Sequence, residues 1–133
     1  MEKIFDCFKW LVITLATGVT WMLGAWDTPL RILILLMILD YISGVLKGYI
    51  NKELSSDIGF KGIARKAMIF FILILAVMLD RLLNTGTWIF RTITCYFYIA
   101  NEGISLLENG VVLGVPVPNK LKDALIQLRE IKK

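Results

Sequence analysis

Thirteen successive apolar residues, Ala67 to Leu79, give solvent no place to enter the chain, and they form the centre of one of four such runs. The runs are Trp10 to Trp26, Leu30 to Ile50, Ile63 to Leu83 and Trp88 to Leu107. Backbone N–H and C=O groups in hydrocarbon have no water to bond, so segments of this kind fold as helices that satisfy themselves. At about 1.5 Å per residue the shortest run reaches about 25 Å, slightly under the ~30 Å apolar core of a bilayer. With 57% hydrophobic residues in 133 and a mean hydropathy of +0.70, the chain has too little polar surface to cover a soluble domain. The expected fold is therefore an all-α membrane protein, one domain over 1–133. It has four transmembrane helices in two antiparallel hairpins, spanning about 10–26, 30–50, 63–83 and 88–107, and it is oligomeric.

The links between the runs set their ends. Asp27-Thr28-Pro29 is an abrupt polar break in which Thr28 can cap a helix beginning at Pro29, where a missing N–H costs nothing. Residues 51–62 read as a cytoplasmic loop, Asn84 to Thr87 as a tight turn, and Glu108-Asn109-Gly110 as the end of the fourth helix. In the tail 118–133, Leu121, Ala124, Leu125 and Leu128 share one helical face, which predicts an amphipathic helix lying on the membrane surface. A cleaved signal peptide is disfavoured, because the first run is long for one and Leu23-Gly24-Ala25 lacks a small residue three places before the cut.

The charges orient the chain. Of 15 lysines and arginines, all but Arg31, Arg81 and Arg91 fall in the amino-terminal segment, the central loop with its approaches, or the tail. Four crossings put those three segments on one side, so the positive-inside rule places both termini in the cytoplasm. The net charge of +4 thus belongs to a membrane surface, and no nucleic-acid partner is expected. No histidine is present, and Cys7 and Cys95 stand far apart. Histidine catalysis, thiol pairing and the usual metal sites are all disfavoured, so no catalytic residue, metal or cofactor is expected.

Polar side chains inside the runs mark functional faces, since a charge at the bilayer centre costs about 2.5 to 3.5 kcal/mol. In the second run Asp40, Ser43, Gly44, Lys47 and Gly48 follow helical spacing, and the two glycines permit close helix approach. The fourth run carries a longer stripe of Arg91, Thr94, Cys95, Tyr98, Asn101, Glu102 and Ser105, and the first a milder one of Thr14, Thr17, Gly18 and Trp21. The long stripes serve either plain packing or an oligomer seam facing a water-lined lesion. Equal distances from the Asn84 to Thr87 turn predict an ion pair between Asp80 and Arg91. Depth along the helices sets Asp40 level with Tyr98 and Lys47 near Glu102.

Three motifs together resemble the phage lysis and toxin-secretion holin family of Gram-positive phages and clostridial toxin loci. They are Asp40-Tyr41-Ile42-Ser43-Gly44, the segment Asn51 to Ile63 leading to Arg65-Lys66, and Asn101-Glu102 with Glu108-Asn109 and Gly114 to Pro118. The resemblance implies a non-enzymatic protein of the bacterial cytoplasmic membrane that oligomerises with itself into holes. Such holes collapse the membrane potential and release an endolysin or a large toxin. A second start codon of the kind some holins use falls at Met22, inside the first run, so that mode of timing is not implied. The rival reading is a small four-helix proton-coupled exporter with Asp40 or Glu102 as its carboxylate.

Overall fold

The computed structural model describes residues 1–84 and 86–130. Among them the chain forms five helices: α1 (Glu2–Leu23), α2 (Thr28–Ile50), α3 (Ser56–Leu82), α4 (Ile89–Val112) and α5 (Asn119–Glu130).

The helix ends follow local chemistry. Gly24 closes α1 at φ 88°, and its N–H reaches Thr20 O. The first turn of α2 is capped by Asp27, whose side chain accepts from the Leu30 N–H at 3.2 Å, one residue before the expected Thr28 cap. Ser55 caps α3 in the same way through Ile58, so the helix starts at Ser56 and takes in much of the segment expected to be a loop. A preferred cap residue in extended backbone fixes that start more strongly than the charges following it weaken the helix. Asn84 and Gly86 take positive φ in the α3–α4 turn, of which Thr85 lies outside the described residues. At the far end, α4 runs through Asn109 and Gly110 to Val112, and Gly114 at φ 82° makes the turn expected four to six residues earlier.

The expectation of four transmembrane helices is not met. Among the described residues three helices are long and apolar enough to cross a bilayer: α1, α2 and α3. Helix α4 has the length, at 24 residues, but too little apolar content, and it buries Arg91, Glu102 and Asn109. With three apolar rods, charge counting over four crossings no longer fixes both termini on one side. The tail also departs from a surface helix. Helix α5 packs on α4, with Leu125 against Gly103 and Leu128 against the core. Gly103 permits the approach, since a Cβ there would meet Leu125 Cδ1 at 3.0 Å.

Helix α4 is thus the centre of the molecule, lying along α2 and α3 on one side and under α5 on the other. Leu23, Leu30, Leu33, Met37, Ile69, Leu73, Cys95 and Ile99 form the buried cluster between them. Helix α1 is different: it is exposed along nearly its whole length and joins the bundle at its carboxy-terminal end. Its threonine stripe needs no partner helix, because Thr14, Thr17 and Thr20 each donate to the carbonyl four residues back at 2.8 Å.

Gly24 is where this junction is most constrained, because a Cβ there would lie 2.9 Å from Arg91 Nε. Gly24→Ala is expected to lower stability in detergent by about 1–3 kcal/mol, from backbone strain at positive φ and displacement of Arg91. Gly18→Ala, where a Cβ meets nothing within 4 Å, is the control and should match or exceed the parent. Denaturant unfolding followed by circular dichroism reads both; equal stability for the two variants contradicts the junction's importance.

Candidate functional site

Two polar constellations hold the helices together, one at each end of α4. The first surrounds Arg91, whose side chain is almost wholly enclosed. Its guanidinium donates to both carboxylate oxygens of Asp27, at 2.8 and 3.0 Å, and to the Leu23 and Ala25 carbonyls. One planar fork thereby satisfies the frayed carbonyl end of α1 and ties it to the start of α2. Hydrogen bonding to Arg91 holds the Asp27 carboxyl below its ordinary range, against the opposing pull of burial.

Asp80 and Arg91 do meet, but through the backbone. The buried Asp80 carboxylate accepts from the Phe90 N–H at 3.0 Å and the Arg91 N–H at 2.8 Å, capping α4 from α3. The ion-pair partner of the Arg91 side chain is Asp27. Beside this clasp Arg81 donates to Trp21 O at 2.9 Å, with its guanidinium 4.6 Å from the Trp21 ring centroid and 5.3 Å from that of Trp88. Tryptophan and arginine gathered at one end of apolar helices form the belt expected at a membrane boundary.

The second constellation lies farther along, where three helices meet. Lys66 Nζ of α3 donates to Asp40 Oδ2 of α2 at 2.8 Å and to Glu102 Oε2 of α4. Side-chain exposures of 16%, 14% and 8% for Lys66, Asp40 and Glu102 show that the three charges are largely withdrawn from their surroundings. Asn109 extends the network, donating to Asp40 Oδ1 at 3.2 Å and to Ser43 Oγ at 2.9 Å, while Ser43 donates to Asp40 O. At about 1.5 Å per residue Asp40 lies about 20 Å from Asp27 and Lys66 about 21 Å from Asp80, so the cluster sits two-thirds of the way across the apolar layer.

Several residues singled out in the sequence come together here. Asp40, Ser43 and Glu102 enter the network, and Gly44 faces the Asn109 amide. Tyr98, Asn101 and Ser105, all half-buried, line a cavity of about 310 Å³ beside Glu102. Thr94 is half-buried on the same helix. Lys47 lines a different cavity, and Gly48 lies under Leu54. Lys66, Asn109 and Asp27 were the residues that sequence reasoning missed. Lys66 borders the apolar core at Ala67 and reads as the last basic residue of a surface segment, while Asn109 reads as a helix terminator. No metal-holding group of three or more acidic, cysteine or histidine residues exists among the described residues.

Comparison with known proteins agrees on one family. The model of the bacteriophage holin family matches residues 17–130. A 14.9 kDa protein from the nagH 3′ region of Clostridium perfringens is 55% identical, covering 99% of this chain and 100% of its own length. A probable holin of Bacillus phage phi105 is 38% identical, over 72% of this chain and 70% of its own. A Listeria monocytogenes protein, Lmo0128, is 41% identical over 80% of this chain and 75% of its own. No solved structure matches.

Removing Lys66 alone leaves two carboxylates facing each other without a cation. Lys66→Met is expected to lower unfolding free energy in micelles by about 3–5 kcal/mol, and adding Asp40→Asn and Glu102→Gln to recover most of that loss. Denaturant titration of the single and triple variants measures this. A single variant as stable as the parent contradicts the linkage of the three helices through Lys66.

Proposed function

The chain belongs to the bacteriophage holin family, a family of non-enzymatic membrane pore formers, and from that premise we propose how its helices divide the work of making a hole. Helices α1, α2 and α3 face lipid. The α4–α5 pair supplies the wall that faces water once copies assemble into a ring.

The observation that carries this reading is the seat of Leu125 on Gly103. It holds α5 beside α4 at the depth of Glu102, with Lys120, Lys122, Asp123, Arg129 and Glu130 on its exposed surface. Charges turned toward hydrocarbon there cost about 2.5 to 3.5 kcal/mol each, so that side of the molecule is stable only against water or another copy. The exposed apolar surfaces of the other helices, such as Leu35, Ile38 and Ile42 on α2 and Phe71 and Leu75 on α3, suit lipid. A bundle with one lipid-compatible and one polar side hides the polar side by self-association and becomes a ring when enough copies join.

The hole forms in the bacterial cytoplasmic membrane, dissipates its potential, and lets a wall-degrading endolysin or a large toxin pass. The basic segment that holds Lys47, Lys52 and Lys61 lies on the cytoplasmic side, together with the amino terminus. Because α4 leads from Asp27 and Asp80 back to Ser43, its carboxy-terminal end comes to that same end of the bundle, and α5 turns back from there along α4.

Expression in bacteria that also make a cytoplasmic muralytic enzyme tests the proposal. The expected outcome is a lag, then a sudden loss of potential-sensitive dye fluorescence with the enzyme's activity appearing at the wall. Survival with altered drug tolerance and intact potential contradicts it and favours an exporter.

A further inference from the structure

Between the carboxy-terminal half of α2 and the amino-terminal half of α3 lies a cavity of about 310 Å³. Its charged walls are Asp40, Lys47, Glu53, Lys61, Arg65 and Lys66, four cations against two carboxylates. Lys66 is committed to Asp40 and Glu102, whereas Lys47, Lys61 and Arg65 make no ion pair among the described residues. A second groove, of about 600 Å³, shares Tyr41, Val45 and Leu54 with this cavity and continues past Phe60 and Ile63. Gly59 and Gly62 allow the contact that shapes the junction, since Cβ atoms there would meet the Tyr41 side chain at 3.5 and 3.3 Å.

We propose that this pair of cavities is a binding site for an anionic phospholipid. The unpaired cations Lys47, Lys61 and Arg65 take the headgroup phosphate, and the Val45, Leu54, Phe60 and Ile63 groove takes the start of an acyl chain.

Depth supports the assignment. Lys47 lies 20 residues past Asp27, about 30 Å along α2, which places it at the opposite boundary of the apolar layer. Helix α3 has 27 residues, about 40 Å, so its polar first third, holding Lys61, extends to the headgroup region, and Arg65, one turn deeper, reaches up toward it along its long side chain. A phosphate at that level meets the cations, and the chain below it meets the apolar groove. A polar cavity with no tail groove would suit a soluble anion, and a tail groove with no cations would suit any lipid. Their continuity selects a charged one. Lipid binding at this site does not require hole formation.

Native mass spectrometry of the full chain in detergent, loaded with phosphatidylglycerol or phosphatidylcholine, tests it. The parent should retain phosphatidylglycerol preferentially. Retention should fall at least about tenfold in the triple variant Lys47→Gln, Lys61→Gln, Arg65→Gln. It should not change in Lys120→Gln, Lys122→Gln, Arg129→Gln, which removes equal charge from α5. Val45→Trp, which keeps every charge and fills the tail groove, should also lose the lipid, and keeps the test open if the triple variant fails to fold. Equal loss in both triple variants, or no preference over phosphatidylcholine, overturns the proposal. Displacement of bound lipid by inorganic phosphate, at ionic strength matched with chloride, also overturns it by showing an anion site that needs no acyl chain.

Discussion

Lys66 reaches from α3 to Asp40 on α2 and Glu102 on α4, and the positions of all three helices depend on that contact. None of the three charges is stable alone at this depth in an apolar layer, and each finds its partner only if the helices converge there. Asn109 donates to the second carboxylate oxygen of Asp40 and Ser43 to its main-chain carbonyl, so both side-chain oxygens of Asp40 are engaged. Its counterpart near the turns, Arg91 with Asp27 and Asp80, fixes the other end of α4. Two polar clamps about 16 Å apart along α4, from Arg91 to Glu102, hold a helix that lipid alone would not keep in place.

The helix so held divides the molecule into two unlike sides. Toward α1, α2 and α3 the surface is apolar, and even α1, nearly free of the bundle, satisfies its threonines internally. Toward α5 the surface is charged, because the Leu125 contact on Gly103 turns α5's lysines and acids outward. This asymmetry ties the fold to the making of holes: the membrane tolerates the first side and rejects the second. Self-association therefore follows from the same helix placement that the buried charges enforce.

Much of this was legible in the residues, and the losses have specific causes. Apolar runs gave the helices, the stripe spacing gave Asp40, Ser43 and Glu102, and the turn gave the encounter of Asp80 with the start of α4. Partner choice was not legible. Equal distance from a turn predicts that Asp80 and Arg91 meet, but not that the meeting uses backbone N–H groups while the guanidinium turns to Asp27 on a different hairpin. Lys66 was hidden by position, since a lysine next to an apolar run looks interfacial until α2 and α4 bring carboxylates to it. The fourth crossing was inferred from charge balance, which counts residues in links and is blind to a polar helix sheltered by its neighbours. The tail's leucine face was visible, but that Gly103 would receive it was not.

The most direct test asks whether the edge of α4 beside α5 meets water only when the hole opens. In a chain with Cys7 and Cys95 replaced, cysteine is placed at Glu108, exposed on α4 beside α5, or at Leu35 on the lipid-facing surface of α2. A membrane-impermeant thiol reagent is then added from outside the cell. The cysteine at position 108 is expected to be protected until the membrane potential collapses and then to label quickly, while the one at position 35 stays protected throughout. Labelling of position 108 before the collapse, or continued protection after it, contradicts the placement of α4 on the wall of the hole.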